Sequence, residues 1–350
     1  PAVRRFVRQG SDAAGSASGR LPEETVLSLL RSKRYRNWKE GVQELRRRFL
    51  PSAAPILVER LESPEPLVRL DAIDLLLRNV PAEARRALDQ LGTESDREVL
   101  CAGIRALQAS GIKEAAWDFH ALLSRKDPAV RVAALGALTT LGGGAVIRSI
   151  EEVATDSDPE VRARALATLH AFGHAGALRD LVQMLRDPAE EKRLAAAGAL
   201  GEVPEGVASL IPLLAEEPSM DVLVAAITSL GRIRDAQAVR PLLARLEDPV
   251  LRIYCVEALG SIGAPAATAA LLDLVIRDPS ALVQRAALRA VAGIGDATAI
   301  PALQSCLKSA DLASTAIEAL CQIGGPQAED VLLSLLSPGS PFLNDVVQGL

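Results

Sequence analysis

A short phrase that returns about every 30 residues constrains this chain more than any other feature of its sequence. Its fullest form is Asp-Pro-Glu-Val-Arg at residues 158–162. The prolines of its versions are Pro128, Pro159, Pro188, Pro218, Pro249 and Pro279, at intervals of 31, 29, 30, 31 and 30 residues. A fixed period in this range is typical of a solenoid, in which each repeat stacks only on its neighbours.

Each repeat has the pattern of two helices. Asp before Pro suits a helix start, because the carboxylate accepts from the free amides of the first turn and Pro has no amide hydrogen to leave unpaired. Val161, Leu166 and Leu169 then lie on one apolar stripe, and a glycine ends the helix. The expected stops are Gly142, Gly173, Gly263, Gly295 and Gly324. With a shorter second helix after each stop, we predict an all-α fold, a right-handed α-solenoid of about ten antiparallel helix pairs.

The composition supports this fold and narrows the classes of function. Hydrophobic residues make up 49 % of the chain and aromatic residues only 3 %, which indicates closely packed helices of Ala and Leu. A net charge of -5 argues against a general polyanion binder. There is no apolar run of about 18 residues, so we expect no membrane insertion.

Three segments are expected. Residues 1–20 have the composition of a linker, or of the tail of a preceding domain. Residues 21–50 form a basic N-terminal helical pair that caps the repeats, and residues 51–350 form the solenoid. The chain begins at Pro1 rather than Met, and residues 342–350 stop in a helical pattern without a polar cap. We therefore expect a piece of a longer multidomain protein, with the solenoid continuing beyond residue 350.

The polar residues of the repeats favour structure over chemistry. Asp and Arg recur at the turns, as in Asp158 with Arg162 and Asp127 with Arg131, and a recurring pair indicates helix caps and polar ladders between repeats rather than a catalytic pair. His170 and His174 have the spacing of two metal ligands on a helix, yet Gly173 between them should end that helix. We expect no catalytic residue, no metal and no cofactor.

Four cysteines lack metal-type spacing and fall where the repeat needs a small buried residue: Cys101, Cys255, Cys306 and Cys321. We expect free thiols, as in a reducing, cytoplasmic compartment.

The phrase also carries a resemblance. Asp-Pro-x-x-Val-Arg or a shortened form, then Ala-x-x-Ala-Leu, then Ile-Gly or Leu-Gly, as in residues 127–142 and 248–263, resembles short HEAT repeats of the phycobilisome lyase type. The resemblance covers roughly residues 51 to 340 and implies first helices on the convex side and second helices along the concave side. Each histidine here, including His120, is followed by Ala, unlike the His-Glu pairs with which the related deoxyhypusine hydroxylase holds iron.

Two surfaces are candidate partner sites. Outward positions on the second helices are predicted at Arg179, Gln183, Arg240, Asp273 and Gln304. Their mixed charge suits a protein or peptide, because a nucleic-acid groove needs rows of Lys and Arg.

The second surface is basic and N-terminal. Residues 31–48 contain eight basic and two acidic residues, and the predicted patch consists of Arg34, Tyr35, Arg36, Trp38 and Arg47. We favour a solvated face on a capping helix pair, with Trp38 packed on the first repeat; the alternative is that the patch binds an acidic protein surface or nucleic acid. Trp117, Phe119 and His120 are a further cluster, either core or interface anchors.

We therefore predict a non-enzymatic protein-interaction scaffold or regulatory module that binds a protein or peptide on its concave face. One alternative is a bilin-lyase-like enzyme or chaperone, which would need a chromophore pocket. The other is nucleic-acid binding through residues 31–48. The oligomeric state stays open.

Overall fold

The regular structure of the chain is α-helical with short 3-10 turns in the part that the computed structural model describes. The described residues are 21–110, 119–141, 147–309 and 311–336, together with Phe342. Within these ranges there are α-helices and short 3-10 turns but no strand, which confirms the predicted all-α solenoid. The predicted linker 1–20, Trp117, the stop at Gly142 and the end of the chain at 343–350 lie outside the described residues.

The chain divides into two compact units, with the boundary between Leu181 and Val182. The N-terminal unit contains, in order, α1 (Glu23–Arg31), α2 (Tyr35–Arg47), α3 (Ala54–Arg60), α4 (Pro66–Asn79), α5 (Pro81–Thr93), α6 (Arg97–Ser110), α7 (Phe119–Leu123), α8 (Pro128–Leu141), α9 (Ile147–Val153) and α10 (Pro159–Ala171). Helix α11 (Ala177–Met184) crosses the boundary.

The C-terminal unit continues the same alternation of long and short helices. Its helices are α12 (Glu190–Leu200), α13 (Val207–Leu210), α14 (Leu213–Glu216), α15 (Met220–Ile233), α16 (Val239–Ala244), α17 (Arg252–Ile262), α18 (Thr268–Arg277), α19 (Ala281–Ile294), α20 (Ile300–Cys306), α21 (Ala313–Ile323) and α22 (Gly325–Leu335). We call α4, α6, α8, α10, α12, α15, α17, α19 and α21 the first helices. The helices that follow each of them are the second helices.

A buried pair of adjacent residues anchors most first helices to the core. A small residue is followed by a branched one, and both are fully buried in Ala226-Ile227, Cys255-Val256 and Ala287-Leu288. The small member leaves room for the neighbouring helix, and the branched member fills the space between repeats. Cys255 occupies the small position, as the sequence predicted.

Within each unit, the first helices lie side by side in a closely spaced row. In the C-terminal unit, a Cβ atom on Gly231 would lie 2.9 Å from Ala258 Cα, and one on Gly260 would lie 2.7 Å from Ala290 Cβ. Successive first helices pack on one another along this row, whereas the second helices are shorter and contact one another much less. Small residues at these crossings therefore set the distance between repeats.

The predicted helix cap is present, but the Asp-Pro phrase occurs in two registers. Asp158 is the N-cap of α10, and its side chain accepts from the amides of Glu160 and Val161. Before α19, however, the N-cap residue is Ser280, and Asp278 lies two residues earlier with its side chain only 1 % exposed. Expecting an N-cap at each Asp-Pro was therefore wrong, because the earlier register uses the acid for a contact between repeats.

That contact is an arginine ladder. An arginine in the first turns of a first helix binds a carboxylate that lies 24 to 26 residues later, at the start of the next repeat. Its pairs are Arg69–Glu94, Arg131–Asp156, Arg193–Glu217 and Arg252–Asp278. The same arginines donate to backbone carbonyls of their own turn, as Arg193 does to Asp187 O at 3.0 Å. The predicted ladder between repeats is therefore confirmed.

The two glutamate side chains of the ladder are buried, and their pKa values are lowered. Glu217 accepts two hydrogen bonds from Arg193 at 2.9 and 3.0 Å, and a third from the amide of Ser219. These bonds lower the pKa of Glu217, against the opposing effect of its burial. Burial would raise the pKa of Glu94, but the bonds from Arg69 and from the backbone lower it.

The row of glycines gives a stability prediction. Gly260→Ala should destabilise the chain by about 1 kcal/mol or more, because its methyl group must push α19 away from α17. Gly293→Ala is the matched control, since the nearest atom to its Cβ is Gly260 O at 3.6 Å. That variant should gain up to about 1 kcal/mol from helix propensity. Urea unfolding followed by circular dichroism measures both; a gain for Gly260→Ala would contradict the close packing.

The ladder gives a pH prediction. Arg193→Leu should cost about 3 kcal/mol at neutral pH, because Glu217 stays buried without its partner. Since the folded pKa of Glu217 is lowered, its contribution is present above the unfolded pKa of about 4.3 and is lost as the pH falls through the folded value. The gap between wild type and variant should therefore shrink below about pH 4. A gap that stays constant in urea unfolding from pH 3 to 7 would contradict this.

Candidate functional site

The five residues predicted on the second helices are all exposed. Arg179 and Gln183 lie on α11, Arg240 on α16, Asp273 on α18 and Gln304 on α20. Two of them have neighbours of opposite charge on their own helix: Arg179 lies 3.4 Å from Asp180, and Asp273 lies 3.1 Å from Arg277. These residues face solvent and take no part in the arginine ladder.

The fully buried leucine of each second helix shows how these residues are arranged. Leu242, Leu271 and Leu303 are the references in α16, α18 and α20, each 0 % exposed. Arg240 stands two positions before its leucine and Asp273 two positions after, so both lie opposite the core at 3.6 residues per turn. Gln304 follows its leucine directly and lies to one side. The second-helix face is thus a sparse polar surface.

One residue of the predicted basic N-terminal patch, Trp38, is buried rather than exposed. Trp38 is 1 % exposed, and its indole Nε1 donates to Asp71 of α4 at 3.0 Å. The guanidinium of Arg60 lies 5.9 Å from the centre of its ring. Including Trp38 in an exposed patch was therefore wrong, and the favoured interpretation, in which Trp38 packs on the first repeat, is confirmed.

The rest of the patch is exposed but partly neutralised. Arg34, Tyr35, Arg36 and Arg47 are exposed. Arg47 lies 3.6 Å from Glu44, an acidic residue that also binds Arg48. In the same run, Arg46 pairs with Asp71 and Asp74 at 3.1 and 3.5 Å. Fewer cations are thus free than the sequence suggests.

The histidines contact separate partners. Gly173 has φ 79° and ends α10, so His170 and His174 do not share a helix face. His174 Nε2 lies 2.9 Å from Glu151, and His120 Nδ1 lies 2.9 Å from Ser149 Oγ. Phe119 is buried at 6 % exposure, on the core side of its short helix. No group of three or more potential metal ligands occurs within the described ranges.

The cysteines are unpaired. Cys101, Cys255 and Cys306 are buried, and Cys321 is partly exposed. Burial raises the pKa of the Cys255 thiol to about 12 and raises those of the other three. High thiol pKa values disfavour the nucleophilic thiolate.

None of the helices in the described part of the chain is long and apolar enough to cross a bilayer.

A groove that the sequence interpretation missed lies between the first helices α15 and α17. Its volume is about 540 Å³, and its lining residues are Thr228, Gly231, Arg232, Arg234, Tyr254, Glu257, Ala258 and Ser261. Arg232 donates to Gly198 O at 2.7 Å and Ser229 Oγ at 2.9 Å, and burial lowers its pKa. The sequence did carry a signal: Arg234 occupies the stop position that is Gly263 and Gly295 in the two following repeats.

The family match agrees with this architecture. The model of the family described as HEAT repeats matches residues 147–208, 207–276, 239–315 and 268–349, which together cover more than half of the chain. The chain belongs to the HEAT-repeat family. The narrower resemblance to the phycobilisome lyase type is not part of this match. The comparison with curated proteins gives no significant match.

Solved structures similar to this HEAT-repeat chain include Kap121p bound to Nup53p, with a TM-score of 0.45, and Kap121p bound to Pho4p, with 0.44. A third is the karyopherin Kap121p bound to the SUMO protease Ulp1p, at 0.45. Each is 16 % identical and matches 95 % of this chain, which spans 46 % of that longer chain. These similarities are too low to bear on function.

The buried tryptophan gives a prediction for the first HEAT repeats. Trp38→Phe should cost about 1–3 kcal/mol, because Asp71 loses a donor while remaining largely buried. Tyr35→Ala is the control on the same helix; Tyr35 is 38 % exposed, so its change should stay within about 0.5 kcal/mol. Chemical unfolding measures the free energy of unfolding of both variants. Equal effects would mean that Trp38 does not fasten α2 to α4.

Proposed function

We propose that this chain is a non-enzymatic scaffold that binds a protein or peptide partner. One observation carries the proposal: the charged residues that recur with the repeat are used inside the scaffold, as caps and as ladder pairs. The exposed residues that do not recur are left for a partner. Stacked repeats present such residues on continuous faces, which is the common use of a solenoid.

The partner surface in this proposal is the second-helix face: Arg179, Gln183, Arg240, Asp273 and Gln304. Its positive and negative side chains are separated by small residues such as Ala244 and Ala269. Such a surface complements a folded protein or a peptide of mixed charge, whereas a nucleic acid requires rows of cations.

A cytoplasmic location belongs to the same proposal. The support is the state of the cysteines, since Cys101, Cys255, Cys306 and Cys321 are all free and are too dispersed in the sequence for a disulfide framework.

The test is a pull-down with the purified chain as bait and identification of stoichiometric partners by mass spectrometry. Changing both Arg179 and Arg240 to Glu should weaken capture by about tenfold or more, because two attractive contacts become repulsive. Both side chains are exposed, so the fold should survive, and circular dichroism verifies this.

The matched control is Arg289→Glu, which reverses an exposed arginine on the first helix α19. It should leave capture unchanged. Capture that survives the double change but fails with Arg289→Glu would move the partner to the first-helix face and reject the second-helix face. Absence of any stoichiometric partner would reject the scaffold itself.

A further inference from the structure

The groove between α15 and α17 is a built feature of the first-helix face. Its floor is the crossing of Gly231 and Ala258, where the two helices approach most closely. Longer side chains stand on either side of this floor. Thr228, Arg232 and Arg234 line one wall, and Tyr254, Glu257 and Ser261 line the other.

Arg234 has an unusual backbone for its residue type. Its φ and ψ are 60° and 32°, and among the described residues it is the one non-glycine residue with positive φ. The corresponding stops after α17 and α19 are Gly263 and Gly295, both with φ 74°. The turn can therefore be made by glycine, and the left-handed conformation costs an arginine free energy that glycine does not lose. Strain of this kind often marks a functional position.

One exposed guanidinium group lies at one end of the groove. The guanidinium of Arg232 is engaged elsewhere, because it donates to Gly198 O and Ser229 Oγ and lies 3.9 Å from the carboxylate of Glu202. Arg234 is exposed two residues further along. Guanidinium groups bind carboxylates through paired charge-assisted hydrogen bonds, so this end of the groove complements an acidic side chain.

The opposite end is apolar. As first helices of successive repeats, α15 and α17 run in the same direction, and the crossing of Gly231 with Ala258 puts Tyr254 near Thr228 and Ser261 near Arg234. Tyr254 is 36 % exposed, in a chain with only two tyrosines. From Tyr254 to Ser261 the helix rises about 10 Å, which is about three residues of extended peptide. Glu257 stands between the ends and suits a polar or basic group.

We propose that this groove binds an acidic peptide segment of a partner protein, with Arg234 on a carboxylate and Tyr254 under an apolar side chain. This site adds to the proposed scaffold function and does not depend on the second-helix face.

The test starts with a phage-displayed random-peptide library. The library is first depleted on the Arg234→Gly variant and then selected on the whole chain. Selected peptides should share an acidic residue two or three positions from an apolar one. A selection that gives no binder, or binders without an acidic residue, overturns the proposal.

The best selected peptide is then synthesised with a fluorescent label, and fluorescence polarisation measures its affinity. Arg234→Gly should weaken binding by about tenfold or more, as expected for the loss of a charge-assisted contact. This variant should unfold at a higher urea concentration than wild type, because glycine relieves the strained stop. Unchanged affinity with raised stability would show that Arg234 serves only the turn, and would overturn the proposal.

Further variants separate the two ends of the groove. Arg234→Lys should keep part of the affinity, Tyr254→Phe most of it, and Tyr254→Ser little. Arg289→Ala, on α19 and outside the lining of the groove, is the control and should change nothing.

Inorganic phosphate is added as a competitor, with chloride at equal ionic strength as reference. The two salts should have the same effect on the affinity of the peptide. Specific competition by phosphate would assign the groove to free anions and overturn the peptide proposal. Partner capture that still depends on Arg179 and Arg240 would leave the proposed function intact in either case.

Discussion

The bond from an arginine of one repeat to a buried carboxylate of the next is the interaction on which the stack depends. A single repeat cannot bury its apolar stripes, so its stability comes from its neighbours. Buried charges stabilise a fold only when they are paired and hydrogen-bonded. Glu217 receives Arg193 and the Ser219 amide, and Asp278 receives Arg252 and the Ser280 amide. The same carboxylate thus joins two repeats and orders the start of a helix.

This use of charge shapes the functional interpretation. The Asp and Arg residues that recur at the turns resemble catalytic groups in the sequence, but in the structure they serve as helix caps and ladder pairs. What varies between repeats is exposed: Arg240 and Asp273 on the second helices, and Arg234 and Tyr254 on the first. The close row of Gly231 and Gly260 also leaves space for a groove, since small residues at a crossing let longer neighbours form walls.

Much of the fold followed from the sequence, because helix period, helix starts and glycine stops are local signals. The all-α class and the stops at Gly173 and Gly263 were predictable for that reason. The identity of ladder partners was not, since Arg131 binds Asp156 rather than the nearby Asp127, a choice made by packing between repeats. Trp38 was ambiguous because burial of one aromatic residue depends on a distant helix. To predict the groove from the sequence, the residues that end the first helices would have to be compared. Arg234 stands at a position where the next two repeats have glycine.

The most direct test of the ladder is hydrogen–deuterium exchange on Arg252→Leu. Arg252 donates to Leu246 O at 2.7 Å and to Asp278 at 2.8 Å, so it joins its own turn to the next repeat. Amide exchange should become faster in both α17 and α19, with the helices of the N-terminal unit unchanged. Faster exchange confined to α17 would contradict it, because the arginine would then support only its own helix.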